Sequence, residues 1–131
     1  MNISTLPLNA LRILVVDDDR DSREMMIVAL ESEGAEVVAV ESVQSAFTAL
    51  LDWQPDLLIS DIRMPDSDGY TFLQTLRSQS FNAPAIAVTA FAREDDRREA
   101  LAAGYQSHLT KPIDLELLYS TIVELIKLST P

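Results

Sequence analysis

Residues 11–19 read LRILVVDDD, an apolar run that ends in three consecutive carboxylates. Apolar runs of this length, separated by helical patterns, are typical of parallel strands that are covered on both faces. Three more runs end in a polar residue in the same way: 57–60 before Asp61, 85–88 before Thr89, and 106–110 before Lys111. Because ligands bind at the carboxyl ends of such strands, the sequence predicts one site that collects these side chains.

The composition predicts one globular domain that works in the cytoplasm. The 131 residues suffice for a single core, and 47% of them are hydrophobic. No apolar run is long enough to cross a bilayer, and residues 1–10 lack the lysine or arginine that a secretory signal would carry. Cysteine is absent, which argues against disulfides and thiolate zinc sites.

The net charge argues against direct contact with nucleic acid. Twenty-one acidic residues against ten basic ones give a formal charge of −11. A surface of this sign repels a phosphate backbone, and no cluster of lysine and arginine offsets it. We therefore expect no direct nucleic-acid binding, and we expect most of the acidity to serve solubility. The lack of a long apolar run separately leads us to expect no membrane binding.

A strand followed by a helix is repeated five times along residues 11–128, with short tails at 1–10 and 129–131. The strands are predicted at 12–16, 36–40, 56–60, 85–88 and 106–109. Four residues have the character of helix boundaries: Gly34, Ser42, Pro55 and Asp114. This alternation predicts an α/β fold of βαβ units with right-handed crossovers around a parallel sheet.

Asp17 and Asp18 predict a magnesium site. Two adjacent carboxylates at a strand end repel each other, and Mg²⁺, which prefers carboxylate oxygens and water, relieves that repulsion. One of these aspartates or the next, Asp19, can also cap the following helix, and the two roles are compatible. A calcium-binding EF-hand loop that starts at Asp17 does not fit, because it requires glycine and glutamate where Ser22 and Val28 stand.

Asp61, Thr89 and Lys111 each have an ordinary structural role as well as a chemical one. Asp61 precedes a turn-rich segment, and its carboxylate can attack a phosphoryl group if cations neutralise the phosphoryl oxygens. The Thr89 hydroxyl can bond a phosphoryl oxygen or simply occupy a strand position. Lys111 can pair with Asp61 or stay in solvent. The proline after it makes a cis peptide accessible at Lys111-Pro112, and we expect one there. The chemical roles are favoured because four strands place compatible groups at one end of one sheet.

In the order and spacing of these residues the chain resembles the receiver domains of two-component response regulators, including the chemotaxis receivers. The resemblance covers residues 11–128. Four motifs carry it: Ile13-Leu14-Val15-Val16-Asp17-Asp18, Asp61-x-x-Met64-Pro65-x-x-Asp68-Gly69, Thr89-Ala90 and Lys111-Pro112. It implies a flavodoxin-like doubly wound sheet of five strands in the order 2-1-3-4-5.

The resemblance also implies a phosphoacceptor and a metal site. Asp61 would accept a phosphoryl group from the phosphohistidine of a sensor histidine kinase or of a histidine phosphotransfer protein, which gives a 4-aspartylphosphate. Asp17, Asp18, Asp61 and the backbone carbonyl of Arg63 would hold Mg²⁺, for which Mn²⁺ could substitute. The domain would catalyse only its own phosphorylation and dephosphorylation, so it would not be an enzyme with a separate substrate.

The switch implied by the resemblance begins at the phosphoryl oxygens. Lys111, Thr89 and Ala90 would bind these oxygens after transfer. The change would then bias a two-state surface made of the fourth helix, the fifth strand and the fifth helix. The same surface could form a homodimer.

Three positions near the site distinguish this chain. His108, the only histidine, stands where many receivers carry an aromatic switch residue. It is a candidate switch, a pH-sensitive group or a plain strand-edge side chain. Arg63 and Phe91 lie two residues after Asp61 and Thr89, and we expect both side chains to control the access of water. Bulky Phe91 is expected to shield the acyl phosphate and to slow its loss.

Several alternatives stay open on the sequence alone. The chain can be a stand-alone regulator or a receiver cut from a longer protein, such as a hybrid sensor histidine kinase. The spacing Asp17-x-Asp19 also resembles the first motif of haloacid dehalogenase phosphatases, with Asp17 as nucleophile, although the following Arg20-Asp21 departs from that motif. A receiver-shaped module that takes no phosphate is disfavoured because the five expected site residues are all present.

Overall fold

A computed structural model describes residues 6–65, 68–90 and 93–129. Strands and helices alternate along the chain: β1 (Arg12–Val16), α1 (Arg20–Ser32), β2 (Glu36–Val40), α2 (Val43–Leu50), β3 (Leu57–Asp61), α3 (Gly69–Ser78), β4 (Ala85–Thr89), α4 (Glu94–Ala103), β5 (Ser107–Thr110) and α5 (Leu115–Ser129). The strands form one parallel sheet in the order β2-β1-β3-β4-β5. The predicted fold and strand order are therefore confirmed. None of the described helices is apolar over a stretch long enough to cross a membrane.

Side chains of each strand alternate between two hydrophobic clusters, one on each face of the sheet. In β1, Ile13 and Val15 contribute to the cluster with α1 and α5, whereas Leu14 and Val16 contribute to the cluster with α2, α3 and α4. All four side chains are almost completely buried. Burying one such side chain stabilises the fold by about 1.5–3 kcal/mol. Because both faces are covered, the strand sequence is continuously apolar.

At their carboxyl ends, β3 and β4 each extend one residue beyond the predicted strand. Both β3 and β4 are one residue longer than their apolar runs, so they include Asp61 and Thr89. The reason is that the hydrogen-bond ladder continues past the apolar residues: the amide of Ile62 donates to the carbonyl of Val88 at 3.0 Å. Asp61 and Thr89 are thus the last residues of neighbouring strands.

Side-chain caps begin the helices where the sequence predicts them. The Ser42 hydroxyl accepts a hydrogen bond from the amide of Ser45 at 3.0 Å at the start of α2. The Asp114 carboxylate accepts one from the amide of Leu117 at 3.2 Å at the start of α5. Each bond satisfies a donor that the first helical turn would otherwise leave unpaired.

The N-terminal segment is not wholly a tail. Leu8, which lies in the predicted tail 1–10, is 2% exposed and belongs to the cluster with α1 and α5. The amide of Leu8 donates to the carbonyl of Glu33 at 3.0 Å, and the amide of Ala10 donates to the carbonyl of Gly34 at 2.9 Å. Residues 6–10 have neither strand nor helix periodicity, so the sequence does not reveal this packing.

Candidate functional site

Three carboxylates meet at the carboxyl end of the sheet. Asp17 and Asp18 follow β1, and Asp61 ends the adjacent strand β3. One oxygen from each side chain lies within 4.8 Å of the other two. Asp17 and Asp61 are buried, whereas Asp18 is exposed. The cluster therefore opens to solvent on the side of Asp18.

Lys111 bridges the two buried carboxylates. Its Nζ lies 3.0 Å from Oδ2 of Asp17 and 3.3 Å from Oδ2 of Asp61. The other oxygen of each carboxylate accepts a main-chain amide two residues further on. The amide of Asp19 donates to Asp17 Oδ1 at 2.9 Å, and the amide of Arg63 donates to Asp61 Oδ1 at 3.2 Å. Each carboxylate is thus oriented by one backbone donor and by the shared ammonium group.

The charges of the site are incompletely balanced. Burial raises the pKa of Asp61, with the Lys111 charge opposing that shift and the Asp17 charge reinforcing it. Burial alone lowers the pKa of Lys111, but its hydrogen bonds and ion pairs with Asp17 and Asp61 outweigh burial and raise that pKa. Lys111 is therefore protonated at neutral pH. Three carboxylates then face one ammonium group, which favours binding of a further cation.

The donor set of the carboxylate cluster fits Mg²⁺. The ion prefers a few carboxylate oxygens together with several waters in an octahedral arrangement. Asp17, Asp18 and Asp61 supply the oxygens, and the exposure of Asp18 leaves one side of the cluster accessible to water. These three residues could hold the ion, and the backbone carbonyl of Arg63 stays a predicted ligand.

Thr89 ends β4, and Lys111 directly follows the neighbouring strand β5. Thr89 is buried as the last residue of β4, and its carbonyl accepts the amide of Lys111 at 2.8 Å. Ala90 follows Thr89 and is exposed. The Lys111-Pro112 peptide bond is cis. The roles of Thr89 and Ala90 in binding phosphoryl oxygens remain predictions.

Arg63 connects the site to α4 through Asp96, a residue that the sequence analysis does not single out. Arg63 Nη2 lies 3.3 Å from Asp96 Oδ1. Asp96 is only 8% exposed, although it lies in the charged run 93–98 that opens α4. A run of charges predicts a solvated helix face, and nothing in the sequence marks this acidic residue as buried.

His108 lies on β5 and is partly buried. Its Nε2 is buried and has no hydrogen-bond partner within the part of the chain that the structure describes. Burial lowers the pKa of His108, with the Asp96 charge opposing that shift and the Arg97 charge adding to it. The ring is therefore neutral at pH 7. Phe91 lies outside the described residues, so its shielding role stays a prediction.

Comparisons with known sequences point to one family. A family model for the response regulator receiver domain matches residues 13–123. An uncharacterized 14.6 kDa protein in the sodA1 3′ region of Leptolyngbya boryana is 45% identical over 109 residues, which are 81% of this chain and 83% of that protein. The regulatory protein AtoC of Escherichia coli (strain K12) is 34% identical over 91% of this chain. The chain spans only 26% of the length of AtoC.

The phosphate regulon transcriptional regulatory protein PhoB of Pseudomonas aeruginosa is 31% identical over 91% of this chain, which spans 53% of PhoB. Solved structures give the same result. The receiver domain of the Francisella response regulator 1452 superimposes with a TM-score of 0.86 at 27% identity, over 92% of this chain and 99% of that one. The chemotaxis response regulator CheY4 of Vibrio cholerae gives a TM-score of 0.83 at 28% identity, over 89% and 99% of the two chains.

Proposed function

Because the chain belongs to the receiver domain family of response regulators, we propose that it is a phosphoacceptor in a two-component or phosphorelay pathway. Asp61 is the proposed acceptor. One observation carries this assignment: the buried Asp61 carboxylate lies 3.3 Å from the Lys111 ammonium and next to the carboxylates of Asp17 and Asp18. Phosphoryl transfer depends mainly on positioning and charge neutralisation, and this arrangement provides both.

In the proposed reaction, a carboxylate oxygen of Asp61 attacks the phosphorus of a phosphohistidine. An O–P bond forms and the N–P bond breaks, and the leaving imidazole nitrogen keeps the electron pair and takes a proton from solvent. Mg²⁺ held by Asp17, Asp18, Asp61 and the backbone carbonyl of Arg63 would supply positive charge to the phosphoryl oxygens. Mn²⁺ has similar ligand preferences and could replace it.

Lys111 has a second part in the proposed reaction. Before transfer it neutralises Asp17 and Asp61, and afterwards its ammonium group pairs with a phosphoryl oxygen. The Thr89 hydroxyl and the Ala90 amide, at the end of β4, would bind the remaining oxygens. Closure of these groups would change the surface formed by α4, β5 and α5, which is the proposed contact for an output partner or a second copy.

The proposed donor is a sensor histidine kinase or a histidine phosphotransfer protein. We place the exchange in the cytoplasm, because the ATP that charges a histidine kinase is cytoplasmic. The similar, small Leptolyngbya protein supports a stand-alone regulator. A receiver of a hybrid histidine kinase is the alternative, and co-purification of the phosphorylated protein with a phosphotransfer partner would favour it.

Acetyl phosphate and intact-mass analysis test the proposed chemistry. In the presence of Mg²⁺ we expect the wild type to gain one phosphoryl group, and we expect Asp61→Asn to gain none. Asp52→Asn, which alters an exposed carboxylate outside the site, should behave like the wild type. A chelator should suppress the adduct in every variant. An adduct that disappears in Asp17→Asn but persists in Asp61→Asn would instead identify Asp17 as the nucleophile, as in the phosphatase alternative.

A further inference from the structure

Arg63 contacts both the proposed phosphoacceptor and α4. Its main-chain amide donates to Oδ1 of Asp61 at 3.2 Å. Its guanidinium group lies at Asp96 in the first turn of α4, with Nη2 3.3 Å from Oδ1. One residue therefore joins the chemical site to a helix whose charged run gives no sequence signal of such a link.

The ion pair between Arg63 and Asp96 is weak. Its 3.3 Å separation exceeds the roughly 2.7–2.9 Å of a strong charge-assisted hydrogen bond. The Arg63 side chain is 59% exposed, so solvent screens the attraction. The second oxygen of Asp96 is buried without a hydrogen-bond partner within the described residues, so Asp96 is not fully satisfied by this pair. A stronger anion near Arg63 would displace Asp96 from the guanidinium group.

A phosphoryl group on Asp61 would be such an anion. The acyl phosphate carries a charge of about −1.5 to −2 at neutral pH, where the free carboxylate carries −1, and it presents three strong acceptor oxygens. Guanidinium groups bind phosphate oxygens in a bidentate manner. The single contact with one oxygen of Asp96 is weaker than such a bidentate contact.

We propose that Asp96 is a positioning residue: it holds the Arg63 guanidinium at α4 until a phosphoryl group on Asp61 competes for it. This inference rests on the proposed function. It adds that phosphorylation acts directly on α4. When the Arg63 guanidinium leaves Asp96 for the phosphoryl group, the first turn of that helix loses a contact. The Tyr70 hydroxyl, which donates to the carbonyl of Asp96 at 3.3 Å, then remains as a contact between α3 and α4.

Binding of beryllofluoride, an analogue of the phosphoryl group, tests the competition without a covalent step. We would titrate it calorimetrically at saturating Mg²⁺ into the wild type, Asp96→Asn, Asp95→Asn and Arg63→Ala, and into the double variant Arg63→Ala/Asp96→Asn. Asp95→Asn is the matched control, because Asp95 is exposed and loses the same charge from the same turn. Substitution of the Arg63 side chain leaves its backbone carbonyl available to the metal.

Asp96→Asn lacks the competing ion pair, so it should bind beryllofluoride about two- to fivefold more tightly than the wild type. This factor corresponds to the free energy of a weak, exposed ion pair. Asp95→Asn should bind like the wild type, and Asp96→Asn should change nothing once Arg63 is alanine. That dependence on Arg63 separates positioning from a general effect on the fold. Equal binding by Asp96→Asn and Asp95→Asn, or the same gain in the Arg63→Ala background, would overturn the proposal.

The wild type supplies a second test that needs no folded Asp96 variant. The Nε–H resonance of Arg63, identified by its loss in Arg63→Ala, should shift on addition of beryllofluoride with Mg²⁺. A resonance that does not move would overturn the proposed role of Asp96 while leaving Asp61 as the acceptor. If Asp61→Asn binds beryllofluoride as tightly as the wild type, the proposed function fails and the role of Asp96 fails with it.

Discussion

At the scale of single residues, Lys111 gives the site a permanent cation, but this one charge does not balance the three carboxylates. It neutralises Asp17 and Asp61 at 3.0 and 3.3 Å, and Asp18 adds a third carboxylate to the same cluster. The protein therefore folds with an excess of negative charge at the carboxyl end of its sheet. Removing one of these carboxylates relieves repulsion but also removes a ligand from the proposed metal site.

This conflict predicts a magnesium-dependent change in stability. Mg²⁺ at about ten times its Kd should stabilise the wild type by roughly 1.4 kcal/mol, which raises its melting temperature by a few degrees. Asp18→Asn should lose most of that shift, as thermal unfolding with and without Mg²⁺ would measure. Asp21→Asn, an exposed change on α1 outside the cluster, should keep it. An undiminished shift in Asp18→Asn would exclude Asp18 from the metal site.

A second residue-scale prediction concerns His108 and pH. Because its pKa is lower in the folded protein than the ordinary value of 6.5, the unfolded chain binds the proton first as the pH falls. Stability linked to His108 is therefore complete above about pH 6.5 and is lost as the pH falls from that value toward the lowered pKa of the folded state. Asp96 and Arg97 of α4 are the charged groups that act on this ring.

Replacing His108 should remove that part of the acid sensitivity. Between about pH 7.5 and 5.5, the wild type should lose a few tenths of a kcal/mol more stability than His108→Phe, since solvent partly screens the incompletely buried ring. Urea unfolding at both pH values measures the difference. His108→Gln, which is polar but does not titrate, should follow His108→Phe. If both variants lose as much stability on acidification as the wild type does, His108 is not the source of this acid sensitivity.

At the scale of elements, the start of α3 is packed directly on the end of β3. A Cβ at Gly69 would lie 2.7 Å from the carbonyl oxygen of Asp61 and 2.9 Å from the Cα of Ile62. The Tyr105 hydroxyl donates to the Gly69 carbonyl at 2.8 Å, which fixes the helix in that position. The glycine of the Asp68-Gly69 motif is therefore required by close approach of two backbones at the proposed acceptor.

Gly69→Ala tests that close approach. The added methyl group should destabilise the fold by about 1–3 kcal/mol, as measured by denaturant unfolding. It should also slow phosphorylation by acetyl phosphate, because the backbone of Asp61 must move. Gln74→Ala, an exposed change on the same helix, should leave both quantities unchanged. Wild-type behaviour of Gly69→Ala would show that the contact has no bearing on Asp61.

The same elements show why some of the site was predictable from sequence. A strand end is visible because an apolar run stops at a polar residue, so Asp17, Asp61 and Lys111 could be assigned to one edge before their distances were known. The pairing of Arg63 with Asp96 was not visible. It depends on how α4 sits against the loop after β3, and the helix sequence reads as evenly charged.

At the scale of the whole molecule, the strands could be predicted from the sequence, whereas the packing of the N-terminal segment could not. Burial on both faces makes the strands continuously apolar, which is why their positions and the fold class could be predicted. Leu8 joins the core from an irregular segment, which backbone hydrogen bonds hold to Glu33 and Gly34, directly after α1. Such packing has no period in the sequence.

The N-terminal packing gives a stability prediction with an internal control. Leu8→Ala should destabilise the protein by about 2–4 kcal/mol, as expected for truncation of a buried leucine. Leu6→Ala should change stability by less than about 0.5 kcal/mol, because Leu6 is 46% exposed. Chemical denaturation of both variants gives the comparison. Equal stabilities would mean that residues 6–10 behave as a tail in solution.

The central claim is that Asp61 carries the phosphoryl group, and chemical trapping tests it most directly. Borohydride reduces an aspartyl phosphate to homoserine, so treatment after incubation with acetyl phosphate and Mg²⁺ converts the modified residue into a stable marker. Peptide mass spectrometry then locates it. We predict homoserine at position 61, and none when Mg²⁺ is chelated. Homoserine at position 17 or 18, or its absence from every position under conditions that phosphorylate an established receiver domain, would contradict the account.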